Sequence, residues 1–282
     1  RDLHLSIRRQ RQMCIRDSPI AVNFTQAAGV ALSDLLSSKK SGEMGEMVGV
    51  DIIVTYSSWP RLWQKEADWL RFKKEGGMTR EVISHFLFFS ERVLGPLKVV
   101  WAKTSYPGDI LLCETGVFAK LENANGLPVN IFANVGGQQP DRQELTIKGS
   151  KKSRKVAEFY KDSVSIGNDF IPLRKEPDDP RAVSLKAQLD NLVLKVNNKP
   201  NSLATINEAF RVQKLVEDIF LMADAPQDLV QVIIGDGLAG AQLIDEVPDK
   251  VSFSPDESLL SLLHWYFYEN SNNFHPILIH ST

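Results

Sequence analysis

Apolar and polar residues change their period along this chain, and the changes mark out its elements. Residues 20–24, IAVNF, predict a short buried strand. Residues 25–37 predict a helix with Ala28, Leu32, Leu35 and Leu36 on one side, broken off by Gly42 and Gly45. The β-branched run 48–56, VGVDIIVTY, predicts a strand. Residues 57–72 interleave Trp59, Trp63 and Trp69 with Arg61, Lys65 and Arg71. A mostly apolar helix is predicted over 79–94, ended by Gly95-Pro96. The pattern then turns to strands at 97–103, 110–121, 127–135 and 142–149. Asn125-Gly126 is a strong hairpin signal between two of them, so an antiparallel meander is expected. The basic run 151–155, KKSRK, reads as a solvated turn, with contact to a phosphate as the alternative. Residues 181–196 predict a helix. Thr205-x-x-Glu208 is a capping box that opens a last helix running to about Leu221. Its predicted packing stripe is Ile206, Phe210, Leu215, Ile219 and Phe220. The fold class expected is α+β, an open, mostly antiparallel sheet with helices packed on one face.

The two ends change this picture. Residues 1–18, RDLHLSIRRQRQMCIRDS, carry five arginines and could pass for a targeting arm. Back-translated, residues 8–17 resemble the read-through of a transposase-type sequencing adaptor, and residues 1–4 match another part of it. They are expected to be adaptor-derived and disordered, with the genuine chain starting near Pro19. Residues 225–253, APQDLVQVIIGDGLAGAQLIDEVPDKVSF, resemble a short piece of an aldehyde dehydrogenase, and Ser254-Pro255 break the match. Residues 254–282 show no assignable periodicity and read as an unassigned tail, out of frame or chimeric. The body, 19–224, has roughly the size of one domain with a sizeable core.

Composition narrows the function. A net charge of −2 gives no reason to expect nucleic acid or an anionic membrane as partner. No apolar run approaches the ~20 residues that span a bilayer. The two cysteines are Cys14 and Cys113, too few for a disulfide framework or a cysteine metal cluster. No metal is expected, and a cytoplasmic location fits best.

One stretch carries chemistry: residues 76–95, GGMTREVISHFLFFSERVLG. Glu81 and His85 are four residues apart and share a helix face. Imidazole exchanges a proton near neutral pH, and an adjacent carboxylate would orient it and raise its pKa. A surface ion pair or a structural histidine is the plainer alternative.

The order Gly76-Gly77, Glu81, His85, Leu94-Gly95 resembles the glucose-fructose oxidoreductase/inositol dehydrogenase/rhizopine-catabolism family (Gfo/Idh/MocA). Residues 41–46 and 204–221 also look like the family, so the resemblance covers about 19–224. It implies the family's C-terminal substrate-binding and oligomerisation domain. A Rossmann domain holding NAD or NADP, and a Glu-Lys-Pro lysine, would lie upstream of Pro19, so this piece is expected to bind no cofactor itself. By the same resemblance His85 would act on the hydroxyl or carbonyl at the reacting carbon, as general acid/base or orienter, and Glu81 would hold the imidazole or lie near the substrate. Tyr56, Trp59, Arg61 and Trp63 would wall the pocket of a sugar, cyclitol or similar molecule. Core or subunit interface is the alternative for these aromatics. The sheet face would join copies into a homo-oligomer.

Three rivals stand beside this reading. Gly235-x-Gly237-x-x-Gly240 follows an apolar run and has the local form of a dinucleotide loop, but a lone glycine fingerprint is weak. A non-catalytic oligomerisation or ligand-binding module would leave His85 structural. A true aldehyde dehydrogenase would need a thiol, for which only Cys113 is available outside the adaptor-like segment.

Overall fold

The computed structural model describes residues 19–64 and 66–224. The expectations for residues 1–18, for 225–253 with Gly235, Gly237 and Gly240, and for 254–282 lie outside the described residues. Strands β1 (Met47–Tyr56), β2 (Leu97–Ser105), β3 (Gly116–Asn123), β4 (Pro128–Val135), β5 (Arg142–Gly149), β6 (Ser153–Ala157), β7 (Lys161–Ser165) and β8 (Ile171–Pro172) form one sheet. Its spatial order is β2-β3-β4-β1-β5-β6-β7-β8. The helices are α1 (Val30–Lys40), α2 (Ser84–Leu94), α3 (Pro180–Val196) and α4 (Ile206–Asp224). The architecture is the expected α+β sheet with helices packed on one face.

Strand β1 organises the sheet. It pairs parallel with β4, from Val50↔Val129 to Tyr56↔Val135, and antiparallel with β5. Every other pairing is antiparallel. The expected meander is thus interrupted: β4 and β5 follow one another in sequence, but β1 lies between them. Val50, Ile52, Val54 and Tyr56 alternate along β1 and are completely buried on the helix side. Each such side chain contributes roughly 1.5–3 kcal/mol on leaving water, enough to draw the strand into the centre.

Helix α2 is apolar nearly all round, as a buried helix is. Phe86, Leu87, Phe88, Phe89, Val93 and Leu94 are all buried. Gly95 ends it at φ 86, a left-handed value that glycine adopts without strain. A π-helical turn, Thr79–Ile83, runs directly into it, so the predicted helix 79–94 is two kinds of helix in series. The capping box forms as expected: Thr205 N–H and Oγ1 both donate to Glu208 Oε2, at 2.8 and 2.9 Å. The stripe of α4 differs from the prediction. Val212, Leu215, Val216 and Ile219 face inward, while Ile206 and Phe210 are exposed. At about 100° per residue these two fall on the far side of the helix from Val212 and Ile219.

Two other expectations are corrected. Residues 20–24 do not form a strand; only Val22 bridges, to Ala204. The run 151–155 is no solvated turn, because Ser153–Ala157 is strand β6. Within it Arg154 is buried and Nε donates to Asp162 Oδ1 on β7 at 3.1 Å. A buried carboxylate deprived of its partner is costly. Arg174, 3.5 Å from Asp162, compensates part of that. Arg154→Met is expected to lower stability by about 3 kcal/mol in urea denaturation. A loss below about 1 kcal/mol would mean that the pair carries no such penalty.

Candidate functional site

Tyr56 ends β1, and the chain then turns sharply enough to stack its next residues on the tyrosine. The Tyr56 and Trp59 rings lie 5.3 Å apart. Trp59 Nε1 donates to the Leu70 carbonyl at 2.9 Å, which fixes the indole. The Arg61 guanidinium lies 5.2 Å from the Tyr56 ring, 5.7 Å from Trp59 and 4.6 Å from Trp63. The four residues singled out as a pocket wall therefore converge, with Arg61 at their centre. Trp63 is 60% exposed, so one indole remains open to a ligand.

Glu81 joins this group through a residue the sequence did not flag. Arg61 Nε donates to Gln64 Oε1 at 2.9 Å. Gln64 Nε2 in turn donates to Glu81 Oε1 at 3.4 Å. Gln64 is buried, and a single glutamine in a short turn has no periodic signature. Burial holds the Glu81 pKa above the ordinary carboxylate range, against the opposing pull of Arg61. Burial likewise raises the Tyr56 pKa, and its hydroxyl has no hydrogen-bond partner among the described residues.

His85 occupies the next turn and has different neighbours. Its Nδ1 accepts the backbone N–H of Thr25 at 3.3 Å. Its ring meets the edges of Phe24 and Phe159, at 5.3 and 5.5 Å. Phe159 reaches it from the β6–β7 turn, where φ is 65. Ser184 Oγ on α3 donates to the Thr25 carbonyl at 3.2 Å and steadies the same segment. The expectation that Glu81 would hold the imidazole and raise its pKa is corrected. Its carboxylate is engaged by Gln64, and burial among aromatic rings lowers the His85 pKa to about 4. A backbone amide can only donate, so Nδ1 carries no proton and the neutral ring keeps its proton on Nε2. Above about pH 5 this imidazole is a hydrogen-bond donor through Nε2 rather than a base.

The glycine pair is structural. Gly77 has φ 101, and a Cβ there would stand 2.4 Å from the Glu114 carboxylate. That closeness lets Glu114 Oε1 accept the Thr79 N–H at 2.8 Å and cap the helical segment. A Cβ at Gly76 would meet the Leu70 backbone at 2.3 Å. Both glycines thus serve the close approach of the backbone to Leu70 and Glu114. Cys113 is buried, and burial, with Glu114 beside it, pushes its thiol up to about 12. It stays protonated at neutral pH, which makes it a poor nucleophile for aldehyde chemistry. Among the described residues no helix is long and apolar enough to cross a membrane.

No protein-family model matches the chain. Among curated proteins, a 4,4'-diapolycopene aldehyde oxidase from Methylomonas sp. is 51% identical over 43 residues, 15% of this chain and 8% of that protein. Solved structures match far more of it. An oxidoreductase from Agrobacterium radiobacter, in complex with NAD+, L-tartaric acid and magnesium, gives a TM-score of 0.60 at 13% identity, over 77% of this chain and 66% of that one. An inositol dehydrogenase homolog from Azotobacter vinelandii, complexed with NAD+, gives 0.57 at 16% identity, over 72% and 62%. The WlbA dehydrogenase from Bordetella pertussis, with NADH and UDP-GlcNAcA, gives 0.52 at 18% identity, over 69% and 58%. The chain spans less than two thirds of each of these structures. At such low identity the likeness is one of fold, and the fold is that of Gfo/Idh/MocA-type oxidoreductases.

The histidine assignment has a measurable consequence. A folded-state pKa depressed from 6.5 to about 4 means the unfolded chain binds the proton more readily. Stability is full above about pH 6.5 and falls by about 3 kcal/mol as pH drops to about 4. His85→Gln is expected to flatten that slope, read as denaturation midpoint against pH. In the unaltered chain, nitrogen NMR of the imidazole should find the proton on Nε2 from pH 5.5 to 8. A proton on Nδ1, or a midpoint near 6.5, would contradict the assignment.

Proposed function

We propose that residues 19–224 form the substrate-binding part of an NAD(P)-dependent oxidoreductase acting on a CH–OH group of a sugar, cyclitol or similar small molecule. One observation carries this reading: Glu81, with its raised pKa, and His85, its Nδ1 occupied by the Thr25 amide, stand on successive turns of one helical segment, and Glu81 connects through Gln64 and Arg61 to the exposed Trp63. An indole face suits the C–H face of a sugar ring. His85 Nε2 would donate a hydrogen bond to the oxygen on the reacting carbon. Of the two roles the resemblance implies, orienting the substrate oxygen fits a neutral imidazole better than general acid/base work. Glu81 would take or return the hydroxyl proton, since a raised pKa brings a carboxyl closer to working pH. Nicotinamide chemistry would require a part of the parent enzyme other than the described residues, and this chain would be inactive alone. The fold shared with NAD(H)-bound dehydrogenases supports that division of labour.

A second reading rests on the outer face of the sheet. Trp101, Phe118 and Phe132 are exposed there, and the two phenylalanine rings meet edge to face at 5.0 Å. An open aromatic patch of this kind favours association with a second copy. It is compatible with the first reading, or it stands alone as a non-catalytic module.

Two measurements separate them. The chain should bind polyols and sugars by calorimetry without turning any over with NAD(P)+, and His85→Ala should weaken binding about fivefold to tenfold, the effect of one lost hydrogen bond. Turnover by the chain alone would refute the missing cofactor part; unchanged binding in His85→Ala would favour the module. Phe118→Asp should convert an oligomer to monomer in light scattering, and an unchanged mass would rule out association through this face.

A further inference from the structure

Two guanidinium groups meet at one exposed tryptophan. Arg61 lies 4.6 Å from the Trp63 ring and Arg181 lies 5.0 Å from it. They arrive from distant parts of the chain, the loop after β1 and the first turn of α3. Like charges brought to one ring repel each other unless a counter-charge is present. Every other arginine among the described residues has a carboxylate within 4.0 Å. Arg61 and Arg181 are the exceptions among those residues. Two nearby carboxylates form no salt bridge with either: Asp179 accepts the Ala182 N–H as the N-cap of α3, and Glu81 is reached only through Gln64. Arg61 uses its Nε on Gln64, so the described residues leave its two terminal nitrogens without an acceptor. Its position is nonetheless fixed by the aromatic rings around it, which makes it a preorganised donor.

From this geometry we infer that the ligand of this site carries an oxyanion, a carboxylate or a phosphate, recognised by Arg61 and Arg181 beside Trp63. The inference rests on the sugar-binding reading above and narrows it from neutral polyols to sugar acids or sugar phosphates. Planar guanidinium forks match both anions with paired, charge-assisted hydrogen bonds. The anion end of the ligand would then lie three hydrogen bonds from Glu81, through Arg61 and Gln64.

The test is calorimetric titration of the whole chain with glucuronate, glucose 6-phosphate and glucose at low salt. At least one anionic sugar is expected to bind about tenfold or more tightly than glucose, and which one does so distinguishes carboxylate from phosphate. Arg181→Gln, at an exposed position where the fold should be unaffected, is expected to abolish the preference, and Arg181→Lys to restore part of it. Arg61→Gln should act in the same direction. Equal affinity for charged and neutral sugars, or a preference untouched by Arg181→Gln, overturns the anion site and leaves the sugar pocket standing. Failure of all three sugars to bind overturns both.

Discussion

The burial of β1 is the constraint on which the rest depends. Its inward side chains are completely covered, and it is hydrogen-bonded along both edges, to β4 and to β5. The strand has little freedom to slide, because a slip of one residue would turn its aliphatic side chains outward. Tyr56 is thereby held at a fixed point, and everything after it inherits that position. The Tyr56–Trp59–Arg61 stack, Gln64 and finally Glu81 form one connected chain of contacts from the sheet centre to the helical segment. The loop that carries Trp59, Arg61, Trp63 and Gln64 is tied to rigid elements at both ends, to Tyr56 on β1 and to Glu81 on the helical segment, as a site that must hold two groups in register requires.

His85 shows how surroundings choose among the roles open to one residue. Four residues from a glutamate, it reads in sequence as an ion-pair partner. In the fold, the glutamate turns to Gln64 and the histidine to a backbone amide, between two phenylalanine rings. Desolvation then favours the uncharged ring, and the amide determines which nitrogen keeps the proton. The result is a donor whose state does not change across the physiological range, beside a carboxyl that burial moves toward it.

Local signals in the sequence carry through to the structure where the physics is local. The β-branched run of β1, the Asn125-Gly126 turn and the Thr205–Glu208 cap each act within a few residues and each appears in the structure. What escaped was non-local. Nothing in residues 48–56 announces a place between β4 and β5. The basic run at 151–155 reads as solvent-facing because the partner of Arg154 lies on the next strand. Of the proposed site, Tyr56, Trp59, Arg61, Trp63, Glu81 and His85 were singled out by the family resemblance rather than by spacing alone, and the structure links all of these but His85 through Arg61 and Gln64. Gln64 and the Thr25 amide were not, since one has no pattern and the other is backbone. Arg181 lies over a hundred residues beyond Trp63 and meets it only through the fold.

The central claim is that a small ligand enters at the Trp59–Trp63 side of the molecule. The most direct check is a two-dimensional NMR spectrum of the tryptophan indole N–H groups as sugars are added. The account predicts shifts at Trp63 and Trp59, with Trp101 on the outer face of the sheet unmoved. Shifts confined to Trp101, or none at either tryptophan of the stack, would contradict it.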